Sequence, residues 1–182
     1  MTTASKVTMA RIALIPVFFM VMLVSFPYNN IIALAIFAVA SITDSVDGYI
    51  ARKYNQVSNF GKFIDPLADK LLIVSAILIF VQWGQMPAWA AMIIVAREFA
   101  VTGLRLIAVE GGLVIAAGVS GKVKTVLSVF SICVMLTEIR NTIIFADFTL
   151  NGLCVWIMVL STVYSGAEYF IKNRKVLDIA QK

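Results

Sequence analysis

Four aspartates carry the strongest chemical signal in this chain. They occur in Asp44-Ser-Val-Asp47-Gly48-Tyr-Ile-Ala51-Arg52 and in Gly61-Lys-Phe-Ile-Asp65-Pro-Leu-Ala-Asp69. Asp44 and Asp47 are three residues apart, and Asp65 and Asp69 four, so on helices each pair shares a face. Two helices joined by a short basic loop can then bring two carboxylates each to a common point. Carboxylates gathered near lipid repel one another severely unless cations neutralise them. Two divalent ions, Mg2+ or Mn2+, would cancel that charge and take oxygen ligands, which Asp supplies. Such ions suit a phosphate or pyrophosphate substrate. Gly48 and Ala51 lie one turn beyond Asp44 and Asp47, and their lack of bulk lets a ligand approach the backbone. Arg52 can meet a phosphate through two parallel hydrogen bonds. The plain alternative is a helix end whose charges only pair, Asp47 with Arg52 and Asp65 with Lys62. It gives no reason for two matched spacings with small residues between them.

A second charged cluster reads Arg97-Glu98-Phe-Ala-Val-Thr102-Gly103-Leu-Arg105, followed later by Gly121-Lys122-Val-Lys124-Thr125. On a helix Glu98, Thr102 and Arg105 fall on one face, with Arg97 about 80° round from Arg105. Arg97 and Arg105 with Lys122 could form a cationic pocket for a second phosphate beside the metal site. Against this stands snorkelling, in which long basic side chains only reach the headgroups. That alternative suits Lys124 and suits Arg97 poorly, because Arg97 lies deep in an apolar run.

The elements that must position these residues are apolar. Of 182 residues 61% are hydrophobic and 14% charged, where a soluble domain averages about 45–50% and about 25%. This composition predicts a single all-α membrane domain over 1–182, a bundle of six transmembrane helices. The spans fall at about 11–26, 31–43, 67–83, 87–108, 123–137 and 145–170, with Pro16 inside the first. Turn signals separate them at Pro27-Tyr28-Asn29-Asn30, at Trp83-Gly84-Gln85-Met86-Pro87, and in a glycine-rich stretch from Gly111 to Gly121. The second apolar run ends at Thr43, too short to cross a membrane that needs about 20 residues. A helix continuing to Ala51 is long enough, and it sets Asp44 and Asp47 at the interface. Ionisable groups there point to function. Asp65-Pro66 reads as a helix start, with Asp at the cap and Pro at the first helical position.

With six spans, every Lys and Arg but Arg140 falls on the side that holds both termini. The positive-inside rule makes that side cytoplasmic and puts the polar metal site at the cytoplasmic edge. The first segment has no small-x-small cleavage site before the next span, so it does not read as a signal peptide. The absence of histidine excludes His-based triads and His–Zn chemistry. Cys133 and Cys154 both sit in apolar runs and read as small buried hydrophobes.

The pattern D-x2-D-G-x2-A-R-x8-G-x3-D-x3-D closely resembles the signature of the CDP-alcohol phosphotransferase family and matches it at every fixed position. Members are six-helix membrane enzymes, usually homodimers, that displace CMP from a CDP-linked donor with an alcohol. The resemblance implies that Asp44, Asp47 and Asp65 are metal ligands. It implies that Asp69 is the general base and also belongs to the metal set. Gly48, Arg52, Ser58 and Gly61 fall where the family binds the CDP part of the donor. The REFAVTGLR stretch followed by GKVKT is similar to the subgroup whose donor is CDP-diacylglycerol and whose acceptor is sn-glycerol 3-phosphate. It implies phosphatidylglycerophosphate and CMP as products, with attack on the phosphorus that bears diacylglycerol. Subgroup members usually open with Asn-Ile-Pro-Asn before Thr-x-x-Arg. Here Thr8-Met-Ala-Arg11 is kept and Thr2-Thr-Ala-Ser5 replaces the rest, which leaves Ser5 and Thr8 as the donor-side residues of that segment.

Other readings make different demands. The same chemistry could serve inositol phosphate, serine or phosphatidylglycerol as acceptor, although serine has no phosphate for a basic pocket. A small-cation or proton-coupled transporter would also carry intramembrane Asp and Arg. Such proteins tend to show repeat symmetry and helices broken near midplane, and neither is evident here. A purely structural bundle gives no reason for the aspartate spacing. The net charge of +5 sits at the membrane face, where it meets anionic lipid headgroups and not nucleic acid. The expected location is the cell (inner) membrane, multi-pass.

Overall fold

The computed structural model describes the backbone of residues 3–24, 26–53, 59–110, 113, 118–145 and 148–174. Side chains are described throughout these except at 3–8, 10, 44–53, 59–69, 110 and 138. Six α-helices follow one another among the described residues: α1 (Thr3–Leu23), α2 (Asn29–Lys53), α3 (Asn59–Gln82), α4 (Ala88–Glu110), α5 (Val119–Met135) and α6 (Leu150–Lys172). A 3-10 turn at Glu138–Asn141 and two short antiparallel strands, β1 (Ile143–Phe145) and β2 (Phe148–Thr149), precede α6. The chain divides into two compact units, Met1–Gly84 with Cys133–Arg140, and Gln85–Ile132 with Asn141–Lys182.

The first unit is built on α1, α2 and α3, with α1 packed against both of the others. Ile15, Phe18 and Met22 of α1 recur at three- and four-residue spacing and are buried, as one inward helical stripe requires. Ala33, Phe37 and Ala40 form the matching stripe on α2. Phe18 and Phe37 meet with ring centroids 5.7 Å apart at 47°, a tilted arrangement that aromatic quadrupoles favour. The small Ala33 and Ala40 on either side of Phe37 leave room for that contact. Helix α1 carries Pro16 in its interior.

Both expected turns in this unit are present. Tyr28 takes a left-handed φ of 68°, and its carbonyl accepts from the amides of Ile31 and Ile32, both at 3.0 Å, as α2 begins. At the end of α3, Gly84 adopts φ +69° and its amide reaches the Val81 carbonyl at 3.1 Å. Glycine suits that position because a Cβ is disfavoured there.

The second unit is built on α4, the greater part of α5, the two strands and α6. Helices α4 and α6 pack along their length. At one end Val101, Leu104 and Ala108 meet Tyr169, flanked by Ile107 and Phe170. At the other end Trp89 of α4 and Trp156 of α6 stack with centroids 5.7 Å apart at 54°. Thr149 caps α6 in an extended conformation, its hydroxyl accepting from the Gly152 amide at 3.2 Å. The Phe148 ring lies against Gly152, where a Cβ would come within 3.1 Å of it.

Several boundaries differ from the sequence expectation, α1 beginning at Thr3 and α5 at Val119, and two of the differences have a clear physical reason. Helix α3 starts at Asn59, so Asp65 and Pro66 lie inside the helix and do not begin it. A proline there has no N–H to give to the carbonyl one turn back, a cost that a proline in the first turn does not incur. Asn59 is itself of the type that starts helices, and the helix is taken up there. The sixth apolar run does not become helix at Phe145. Its β-branched and aromatic residues Ile143, Ile144, Phe145 and Phe148 favour strand, and the Thr149 cap delays the helix to Leu150.

Among the described residues, α6 is long and apolar enough to cross a membrane by length and composition. Shorter apolar helical stretches are Arg11–Leu23, Asn29–Thr43 and Lys70–Gln82. Large apolar side chains also face outward: Met92, Phe99, Leu106 and Val109 on α4, and Trp156, Leu160, Val163 and Ile171 on α6.

Candidate active site

The carboxylate segment is carried by two helices of the first unit. Helix α2 continues without a break past the last apolar residues, through Asp44, Asp47, Gly48, Ala51 and Arg52, to Lys53. Just before the aspartates, the Thr43 hydroxyl donates back to the Val39 carbonyl at 2.6 Å, so its polar group is satisfied within the helix. Gly61, Asp65 and Asp69 lie on the first turns of α3. The extension of α2 beyond Thr43 is what the aspartates need: both stay in helical register, and α2 packs with α3 in the same unit. The side chains of Asp44, Asp47, Arg52, Asp65 and Asp69 lie outside the described residues, as do those of Ser5 and Thr8 on α1 and the whole of Ser58. The donor set nevertheless fits a divalent ion. Four hard carboxylates stand at i, i+3 and i, i+4 on continuous helices, the chemistry that Mg2+ and Mn2+ select.

The basic cluster belongs to the second unit and is described in full. Arg97, on α4, is largely buried and donates from Nη1 to Glu98 Oε1 at 3.0 Å and from Nη2 to Ser165 Oγ on α6 at 2.6 Å. Lys124, on α5, is 2% exposed and donates to the same Glu98 oxygen at 2.7 Å. One carboxylate oxygen therefore holds two cations from two helices. Two largely buried positive groups so close would otherwise repel strongly, and the Glu98 carboxylate between them offsets that repulsion. The backbone carbonyl of Glu98 in turn accepts from the Thr102 hydroxyl at 2.7 Å.

Arg105 stands two turns along α4. Its Nε donates to the Tyr169 hydroxyl on α6 at 3.0 Å, and its guanidinium carbon lies 5.4 Å from the centre of that ring. Lys122 is exposed on the first turn of α5. Beside the cluster is a cavity of about 430 Å³ lined by Val123, Lys124, Leu127, Ser161, Tyr164 and Glu168, among others. Glu168 at its rim pairs with Lys172.

Arg97 and Arg105 are thus where the sequence placed them, on α4, and both are anchored to α6. Lys124 behaves differently from expectation. It does not snorkel towards headgroups but is buried against Glu98. The polar partners on α6, Ser165 and Tyr169, escaped the sequence reading. Their only signal was a break in an otherwise apolar helix, Tyr164-Ser165-Gly166-Ala167-Glu168-Tyr169. Gly121, expected in a turn, lies inside α5. A Cβ there would come 4.0 Å from both Arg97 Nη2 and Ser165 Oγ, so α5 presents a small residue to the guanidinium.

The chain is 44% identical to the CDP-diacylglycerol–glycerol-3-phosphate 3-phosphatidyltransferase of Bacillus subtilis, over 95% of each chain. A protein of the same name from Rickettsia bellii is 36% identical over 92% of this chain and 93% of its own. One from Salmonella paratyphi A is 33% identical over 92% of each. Residues 1–164, which take in both the aspartates and the Arg97–Lys124 cluster, match the CDP-alcohol phosphatidyltransferase family, and the chain belongs to that family.

Proposed function

We propose that this protein transfers the phosphatidyl group of CDP-diacylglycerol to sn-glycerol 3-phosphate, releasing phosphatidylglycerophosphate and CMP. The observation that carries the reading is the cationic cluster on α4 and α5, which offers a second phosphate site to a family otherwise defined by its aspartates. End-to-end likeness to relatives named for this reaction supports it.

In the reaction, the free primary hydroxyl of the acceptor attacks the phosphorus attached to diacylglycerol. The new O–P bond forms as the bond from that phosphorus to the CMP oxygen breaks. Asp69 takes the hydroxyl proton, a task for which a carboxylate at the reacting centre is suited. Asp44, Asp47 and Asp65, with Asp69, would hold the divalent ions, of which we propose two. Bound there, the ions supply charge neutralisation for the pyrophosphate and for the departing CMP. Gly48 and Ala51 keep the helix surface low beneath the nucleotide, and Arg52, Ser58 and Gly61 complete the donor side with Ser5 and Thr8. Arg97, Arg105 and Lys122 hold the acceptor phosphate.

Six membrane-crossing helices, with both termini and the site at the cytoplasmic side, account for the outward apolar faces of α4 and α6. In water such faces would form large exposed patches of a kind soluble monomers rarely carry. On this reading residues 1–182 act as one functional domain composed of two compact units, within a homodimer in the membrane.

The deciding experiment measures CMP release from CDP-diacylglycerol in mixed micelles with Mg2+, one acceptor at a time. Glycerol 3-phosphate should support turnover, while glycerol, serine and phosphatidylglycerol should not. Equal turnover with glycerol would overturn the role of the basic cluster, and turnover with inositol phosphate alone would change the acceptor.

A further inference from the structure

Arginine is a long, flexible side chain, and it binds a phosphate well only when its planar fork is already aimed. Both arginines of α4 are aimed by α6. Ser165 accepts from Arg97 Nη2 at 2.6 Å, and one turn further on Tyr169 accepts from Arg105 Nε at 3.0 Å. Between them Gly166 lets α6 approach the Arg97 stem so closely that a Cβ would lie 3.1 Å from Arg97 Cγ. Glu98 fixes the other edge of the Arg97 fork through Nη1. Arg97 Nε is buried, yet among the described residues it has no hydrogen-bond partner. A buried guanidinium N–H is costly to leave unmade, and an anion brought to this fork would satisfy it.

We propose that Ser165 and Tyr169 of α6 are positioning residues. With Glu98 they hold the guanidinium groups of Arg97 and Arg105 in the orientation that receives the acceptor phosphate. This rests on the acceptor reading above. Neither residue touches the substrate; each removes torsional freedom from an arginine before the substrate arrives. The bonding pattern fits that role better than simple packing. Tyr169 is 7% exposed and belongs to the apolar cluster with Val101 and Leu104, so its ring already packs. Its hydroxyl, by contrast, is committed to Arg105. Ser165 is 1% exposed and its hydroxyl is committed to Arg97.

The test uses the full-length enzyme in mixed micelles, with kcat, KM for each substrate and thermal midpoint measured for Ser165→Ala, Ser165→Thr, Tyr169→Phe and Arg97→Lys. Losing one hydrogen bond to a charged group by an indirect route should raise the glycerol 3-phosphate KM about three- to tenfold in Ser165→Ala and in Tyr169→Phe. The KM for CDP-diacylglycerol and kcat should stay within about twofold, a split that general loosening of the fold does not produce. Ser165→Thr, which keeps the hydroxyl, should hold the acceptor KM near the parent value. The two arms act on different arginines, so if one variant does not fold the other still decides. Unchanged acceptor KM in both hydroxyl-deleted variants, or a parallel change for both substrates, overturns the positioning role. An unchanged acceptor KM in Arg97→Lys overturns the acceptor reading itself, whatever Ser165 and Tyr169 do.

Discussion

At the scale of single residues, the four aspartates and the Glu98 carboxylate solve the same problem in opposite ways. On the proposed reading the aspartates gather negative charge that needs cations, whereas Glu98 is the negative charge against which Arg97 and Lys124 pack. Replacing Asp44, Asp47 or Asp65 with Asn removes a hard, charged ligand from a site that depends on charge balance. Each replacement should reduce turnover at least about a hundredfold and shift the Mg2+ requirement upward, and excess chelator should stop the parent enzyme. Turnover that survives chelation would defeat the metal assignment. Asp69→Asn should behave differently. A base acts in the transition state, so kcat should fall while the affinity for CDP-diacylglycerol changes little. Lost donor affinity with kcat retained would make Asp69 a ligand only. The helical placement of the aspartates on α2 and α3 and of the arginines on α4 was legible in the sequence, because it follows from local spacing alone. Lys124 was not. Its sequence neighbourhood is that of any snorkelling lysine, and its burial follows from the position of Glu98 on another helix, 26 residues away.

Elements show the same boundary between local and non-local information. The end of α3 and the start of α2 were marked by Gly84 and by the Pro27–Asn30 turn, which act through their own backbone. The start of α6 was not, since Phe145 onwards is apolar enough for helix and only the pairing of β1 with β2 shows it as strand. Likewise Asp65-Pro66 has the composition of a helix start, and the upstream chain overrides it. The Thr149 cap is the local device that decides where α6 begins, directly after the hairpin. Thr149→Ala should lower stability by about 1 kcal/mol, the usual worth of such a cap. It should leave both KM values unchanged, because the substitution lies at the opposite end of α6 from Ser165 and Tyr169. Thermal unfolding in detergent together with steady-state kinetics checks both halves of that statement.

For the whole molecule, the charge asymmetry along the chain is the strongest guide. Arg140 follows α5 in the 3-10 turn before the hairpin, and the proposed six-span topology sets it alone among Lys and Arg on the non-cytoplasmic side. Single cysteines at Asn141 and Arg174, introduced after Cys133 and Cys154 are replaced by serine, should therefore label from opposite faces of sealed vesicles. An impermeant maleimide added outside right-side-out vesicles should reach Asn141→Cys and reach Arg174→Cys only after permeabilisation. Labelling of both from one side would remove the six-span topology while leaving the chemistry of the site intact. The number of helices was legible from the apolar runs and the turn signals between them. Which helix faces meet one another was not, because an all-apolar helix gives little indication of the side on which its partner lies.

The stacked pair Trp89 and Trp156 gives the protein a built-in optical ruler. Two indoles with centroids 5.7 Å apart couple their electronic transitions, and the resulting circular-dichroism couplet reports whether α4 and α6 are in register. Trp89 lies eight residues before Arg97 on the same helix, about 12 Å away at 1.5 Å per residue, so it senses the α4–α6 seam without entering the substrate site. Trp156→Phe should abolish the couplet while leaving kcat within about twofold, since the ring that remains still packs. With that assignment made, titrating glycerol 3-phosphate and watching the couplet distinguishes a rigid seam, whose signal stays constant, from one that slides as the arginines engage.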